Sequence, residues 1–150
     1  MRTRYSGTTI AASRADTGPV IIDTSALVAI LFGEPLASRL IDGIVGAEAR
    51  RVGAPTVVET AAVMIARKGQ AGELVLEALL ARLDIEVVPF GAEAAARARS
   101  GYHRYGRGVG TPGVLNYGDC LSYGLAIAAG EPLLFVGDDF ATTDVEVAAY

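Results

Sequence analysis

Asp23 follows the apolar run Val20, Ile21, Ile22, Glu59 lies inside Val57 to Met64, Asp119 stands three residues after Asn116, and Asp138 and Asp139 follow Leu133 to Gly137. Most of these acids have an ordinary structural use. Asp23 suits a helix N-cap, Asp119 suits the reciprocal position of a capping box opened by Asn116, and an acidic pair after a strand suits a turn. Glu59 is less ordinary, because a carboxylate among small and apolar neighbours must either find the solvent stripe or be buried with a partner. Gathered in one place, such carboxylates repel and raise one another's pKa unless a cation neutralises them. With one Cys and one His in the chain the donor set is all oxygen, which suits Mg²⁺ or Mn²⁺ and not zinc. A site of that kind activates water and stabilises charge on a phosphoryl group, the chemistry of phosphodiester or phosphomonoester hydrolysis.

The elements around the acids decide whether they can meet. Val20 to Ile22 reads as a buried strand, and Ala26 to Phe32 as a short helix broken by Gly33. Pro35 opens a second helix with Leu36, Leu40, Ile41 and Ile44 on one face. A brief strand at Arg51 to Ala54 leads through Pro55 into a third helix that ends at Lys68 and Gly69. Leu74, Leu76, Leu79, Leu80 and Leu83 mark a fourth helix, and Ile85 to Val88 a third strand. An Ala- and Arg-rich helix from Ala92 to about Tyr105 precedes the Gly-rich loop Gly106 to Gly113. Asn116 then caps a helix reaching Ala129, with Gly130 at its end. Pro132 to Val136 is a last compact strand, and the tail from Val145 can add a short edge strand. This alternation predicts an α/β fold with a central parallel sheet of four to five strands flanked by helices on both faces. Asp23 and the Asp138, Asp139 pair then follow strand carboxyl ends, while Glu59 and Asp119 lie in early turns of helices starting at the same edge. The topology therefore brings them together.

The 150 residues, 51% of them hydrophobic, suffice for one domain. Residues 1–17, polar and carrying Arg2, Arg4 and Arg14, read as a flexible extension, and 18–150 as the domain. The lone Cys120 allows no internal disulfide, no apolar run approaches a membrane span, and residues 1–17 lack a signal-peptide core. A cytoplasmic protein that does not enter membranes is the expectation. A net charge of −4 argues against a protein that coats nucleic acid with its whole surface, but not against a local basic patch.

With these segments in place, the chain resembles the PIN-domain ribonucleases, and within them the VapC toxins of bacterial type II toxin–antitoxin pairs. The resemblance is carried by Asp23 to Val28, by Ala54, Pro55, Thr56 and Glu59, by Leu115 to Cys120, and by Leu133 to Phe140 with Thr143 and Asp144. It implies a single PIN-like domain and a Mg²⁺- or Mn²⁺-dependent endoribonuclease that cleaves RNA with metal-activated water. Its acidic cluster would be Asp23, Glu59, Asp119 and Asp139, with Asp138 second choice for the fourth place. Asp23 and Asp119 would ligate the metal directly, and Ser25, Asn116 and Thr143 would support them. A homodimer and a small VapB-like antitoxin that silences the acids are also implied; the apolar helices Leu36 to Ile44 and Leu74 to Leu83 are candidates for the docking groove, with ordinary core as the commoner use of any single apolar stripe.

Arg97, Arg99, His103, Arg104 and Arg107, interleaved with Tyr102 and Tyr105, form the only dense basic stretch. They are candidates for holding RNA phosphates and stacking on unpaired bases; a solvated helix face and loop is the competing reading. Two other functions fit part of the pattern. A haloacid-dehalogenase-type phosphatase would use Asp23 and the Gly137, Asp138, Asp139 turn, although it needs an Asp where Ser25 stands and a Lys that Lys68 is poorly placed to supply. A non-catalytic binding module would use the acids only as caps.

Overall fold

Every strand of the sheet is short and parallel, and the order in which the strands lie side by side sets the position of the acids. The computed structural model describes residues 18–150; the extension read for residues 1–17 lies outside them. Strands β1 (Val20–Ile22), β2 (Arg50–Gly53), β3 (Glu86–Val88) and β4 (Leu133–Leu134) form one sheet in the order β3-β2-β1-β4. The chain builds outward from β1 to β3 and then returns to the other side of β1. The reversal between β1 and β4 opens a crevice outside their carboxyl ends, the usual ligand position in open α/β sheets.

The helices are α1 (Thr24–Leu31), α2 (Ala37–Gly46), α3 (Ala54–Lys68), α4 (Gln70–Arg82), α5 (Ala92–Tyr105) and α6 (Tyr117–Ala129). Alternation along β1 sorts them into two layers. Val20 and Ile22 face a core shared with Leu27, Leu40, Ile44, Val52 and Leu134 under α1, α2 and α4, whereas Ile21 faces Leu115, Tyr123, Leu133 and Phe135 under α5 and α6. Both faces of β1 are therefore covered, as its unbroken apolar run required, while β3 at the far edge keeps Glu86 and Val87 exposed.

Two expected boundaries shift for physical reasons. The last strand spans two residues instead of Pro132 to Val136, because the Val136 N–H leaves the ladder and donates to Ser25 Oγ at 3.0 Å. The first helix begins at Thr24, earlier than Ala26, because Asp23 caps it and its side chain accepts from the Ser25 N–H. The tail contributes a parallel bridge, Leu133 to Val147, on the free side of β4. Of the two readings of the apolar stripes on α2 and α4, core holds for Leu40, Ile44 and Leu76, which are fully buried, while Leu74 and Val75 stay exposed on α4.

Candidate active site

Each acid is delivered by a different local device. Asp23 terminates β1 and is 3% exposed. One of its carboxylate oxygens accepts from both the Ser25 N–H (2.9 Å) and the Ser25 hydroxyl (2.7 Å), and its own N–H donates to Leu134 O at 2.9 Å, tying it to β4. Ser25 thus acts as a bolt between the first acid and the β4 turn, accepting from Val136 while donating to Asp23. Glu59 sits in the second turn of α3, which Pro55 opens. It accepts from the Thr24 hydroxyl at 2.8 Å, so the residue next to Asp23 orients the second acid.

Asp119 lies in the first turn of α6 within a complete capping box: its N–H donates to Asn116 Oδ1 at 2.8 Å, and its carboxylate accepts from the Asn116 N–H at 2.9 Å. Its second carboxylate oxygen has no such engagement among the described residues. The cap reading is correct for both Asp23 and Asp119, and as caps they still lie within reach of each other's charge. The residue between Asn116 and Asp119 that lets Glu59 approach is Gly118, where a Cβ would collide with the Glu59 carboxylate.

Electrostatics brings the four acids into one site. Burial pushes the Asp119 carboxyl up to about 6; the Asn116 hydrogen bond opposes this, and the charges of Asp23, Asp139 and Glu59 add to it. Glu59 is also raised, first by burial, against the Thr24 hydrogen bond, and further by Asp23. Asp119 therefore feels acids from β1, from α3 and from the turn after β4. In that turn it is Asp139 whose charge reaches Asp119, which favours Asp139 over its neighbour for the fourth place; Asp138 is exposed. Among the described residues no ion pair reaches Asp23, Glu59 or Asp119, and Asp139 meets only Arg107, at 3.7 Å across a half-exposed contact.

No three His, Cys, Asp or Glu side chains among the described residues form a ready-made cage for a metal ion. The donor set nonetheless fits a hard divalent cation, which is commonly held by one or two carboxylates with water and substrate phosphate completing the shell. The mutual repulsion felt at Asp119 is the burden such an ion relieves. Beside the acids, Glu59 lines an open cleft of about 430 Å³ with Pro55, Val58, Tyr117, Gly118 and Leu121.

A scan against family models matches residues 20–146 to the PIN domain. The chain is 44% identical over 130 residues to the VapC ribonuclease Mb0640 of Mycobacterium bovis, covering 87% of this chain and 98% of that protein. It is likewise 44% identical over 126 residues to the ribonuclease VapC of Mycolicibacterium smegmatis, covering 84% and 97%. The chain belongs to the PIN-domain family, among the VapC ribonucleases. Solved structures agree on the fold of this family. The Mycobacterium tuberculosis VapC20, a sarcin–ricin loop cleaving toxin, superposes with a TM-score of 0.70 at 15% identity, covering 87% of this chain and 99% of that one. VapBC2 from Rickettsia felis, bound to a DNA fragment from its promoter, gives 0.66 at 15% identity over 85% and 95%.

The basic stretch is used differently from the expectation. Tyr105 is 8% exposed and meets Tyr123 edge-on at 5.9 Å, so it packs in the core and is not available to stack on a base. Arg97 pairs with Glu93 one helical turn away (3.6 Å), and Arg104 with Asp144 (2.9 Å). Arg107 donates to Val114 O and faces Asp139. Arg99 remains exposed at the rim of an apolar cleft with Tyr102 and Tyr117. Thr143 donates to Phe140 O at 2.8 Å and shapes the turn behind Asp139. Sequence reading missed Thr24 as the orienting donor for Glu59, although a hydroxyl directly after the first acid was a legible signal. Asp144, one of the residues that carry the resemblance, is bound by both Tyr123 and Arg104.

Proposed function

We propose that this chain is a Mg²⁺- or Mn²⁺-dependent endoribonuclease, the toxin of a toxin–antitoxin pair. The observation that carries the reading is the convergence of Asp23, Glu59 and Asp139 on Asp119, whose carboxyl is raised by burial and by their charges, while among the described residues no Lys or Arg forms an ion pair with Asp23, Glu59 or Asp119. Asp23 and Asp119 would hold the ion directly, and Glu59 and Asp139 would flank it. Bound there, the ion supplies charge neutralisation and water activation for in-line attack on a phosphodiester. The chain's own residues supply the geometry. Ser25 fixes Asp23, Thr24 turns Glu59 toward it, and the capping box fixes one oxygen of Asp119 while leaving the other to the site. Arg99 and Arg107 remain the best placed of the basic residues to meet RNA phosphates.

An antitoxin partner is supported by the relatives, since structural neighbours include VapBC2 of R. felis and a toxin–antitoxin complex from Klebsiella pneumoniae, the latter with a TM-score of 0.64 at 18% identity over 87% of this chain and 98% of that one. A homodimer is supported by large apolar side chains left exposed on α3 and α6, Val58 at 69% and Tyr117 at 75%. Among the described residues no helix is long and apolar enough to cross a membrane. The phosphatase alternative is set aside: Ser25 is engaged with Asp23 and Val136, and Lys68 lies over the Phe32 ring at 5.3 Å, at the far end of α3.

The test is incubation of the purified chain with structured RNA in Mn²⁺ or in chelator. Cleavage should require the metal, and Asp23→Asn should lower it by roughly 10³-fold, a loss equivalent to several kcal/mol of charge stabilisation. No metal-dependent cleavage, or an Asp23→Asn variant as active as the parent, would return the acids to the role of caps in a binding module.

A further inference from the structure

The turn after β4 carries Asp139, and the residues just before that acid are open: Gly137 has a positive φ of 98°, and Gly137 and Asp138 are both exposed. Ser25 holds the start of the turn through the Val136 N–H, and a second anchor lies at its other end. Asp144 Oδ1 accepts from the Tyr123 hydroxyl at 2.7 Å, and Asp144 Oδ2 from Arg104 at 2.9 Å. Tyr123 is 3% exposed and lies four residues after Asp119 in α6, on the same helical face. Its ring packs so closely on α5 that a Cβ at Gly101 would collide with it. Arg104 is held in turn over the Tyr105 ring at 4.7 Å. Between the anchor and the acid the turn is stiff. The Thr143 N–H and hydroxyl both reach Phe140 O, the Ala141 N–H reaches Asp138 O, and the Phe140 ring is buried against Phe135 with centroids 4.9 Å apart.

We infer that Asp144, gripped by Tyr123 and Arg104, is a positioning residue that sets Asp139 in register with Asp119. The inference rests on the nuclease reading for its effect on rate, but not for the clamp itself. The clamp couples the helix that bears one acid to the turn that bears another, and removes Arg104 from the pool of RNA contacts.

The experiment compares the full chain with Tyr123→Phe, Asp144→Asn, Arg104→Lys and Arg104→Ala, reading kcat and KM for RNA cleavage and amide hydrogen exchange across residues 137–143. Tyr123→Phe and Asp144→Asn should lower kcat roughly 10- to 100-fold, as expected for a misplaced group, with KM within about twofold. Exchange at Ala141 and Thr143 should accelerate while the interiors of α5 and α6 keep their protection. Arg104→Lys should retain most of the rate that Arg104→Ala loses. A KM that rises while kcat holds, exchange that does not change in the turn, or protection lost throughout the domain overturns the proposal. A parent that cleaves no RNA defeats the nuclease reading instead; exchange then decides the clamp alone, accelerated exchange confined to the turn supporting it and unchanged exchange overturning it.

Discussion

The two ends of the same sheet treat their acids in opposite ways. At the amino edge, Glu131 before β4 and Glu86 at the start of β3 both turn to Arg51 of β2, which pairs with Glu131 directly and with Glu86 at 3.6 Å. The preceding residue, Arg50, donates to Leu83 O and Val45 O at 2.9 Å each and closes the same edge. At the carboxyl edge Asp23, Glu59 and Asp119 have, among the described residues, only hydroxyls and N–H groups as side-chain partners. Carboxylates placed for stability are given a cation in the fold itself, whereas those at the crevice are oriented and left without one. An uncompensated cluster costs folding free energy, so its persistence beside a solvent cleft points to a cation drawn from solution.

The contrast can be tested from either side, and the largest effect is expected at the paired edge. Arg51→Ala removes the cation from Glu131, whose Oε2 is already buried without a hydrogen-bond partner. The variant should lose about 2–3 kcal/mol in urea unfolding, the range for stranding a mostly buried carboxylate. Cleavage under native conditions should persist, because β2 meets the site only through its far end. Stability within about 0.5 kcal/mol of the parent, the usual range for a surface substitution, would erase the distinction between the two edges.

That distinction was only partly visible in the sequence. The periodic elements were legible because local chemistry and tertiary packing agree: Pro55 opens α3, Asn116 with Asp119 caps α6, and Gly130 ends it in a left-handed conformation. The convergence of Asp23, Glu59 and Asp139 on Asp119 was legible as well, since strand ends and helix starts at one sheet edge meet whatever the side-chain detail. Partners distant in sequence were not. Arg51 and Glu131 are 80 residues apart and Arg104 and Asp144 are 40 apart, so no period or spacing links them. For the same reason Tyr105 read as a base-stacking residue, although α5 turns it into the core beside Tyr123.

At the unpaired edge the sign should reverse. Asp119 has its folded carboxyl raised from 3.8 to about 6, so the folded state holds a proton that the unfolded chain has released. Its favourable contribution is present in full below about pH 4 and is lost as pH rises through about 6. Above that, the metal-free protein carries the cost of ionising it. Asp119→Asn, which keeps an oxygen for the Asn116 N–H, should therefore stabilise the metal-free protein at pH 8. With the half-exposed position discounted for screening, the gain should be about 1–2 kcal/mol, fading by pH 4–5. A variant less stable than the parent at pH 8 would mean that the cap outweighs the repulsion.

The smallest effect separates Arg107 from Arg51. Among the described residues Arg107 is the one cation in an ion pair with the site's acids, but at 3.7 Å from Asp139, with both side chains about half exposed, it resembles a surface pair and not the Arg51 arrangement. Arg107→Gln should change stability by less than about 0.5 kcal/mol. If Arg107 serves RNA instead, the same variant should lower the steepness of the salt dependence of RNA binding by about one released counterion. A stability loss approaching that of Arg51→Ala, with an unchanged salt slope, would make Arg107 a built-in counterion for Asp139, and the carboxyl edge would then resemble the amino edge more than its other three acids suggest.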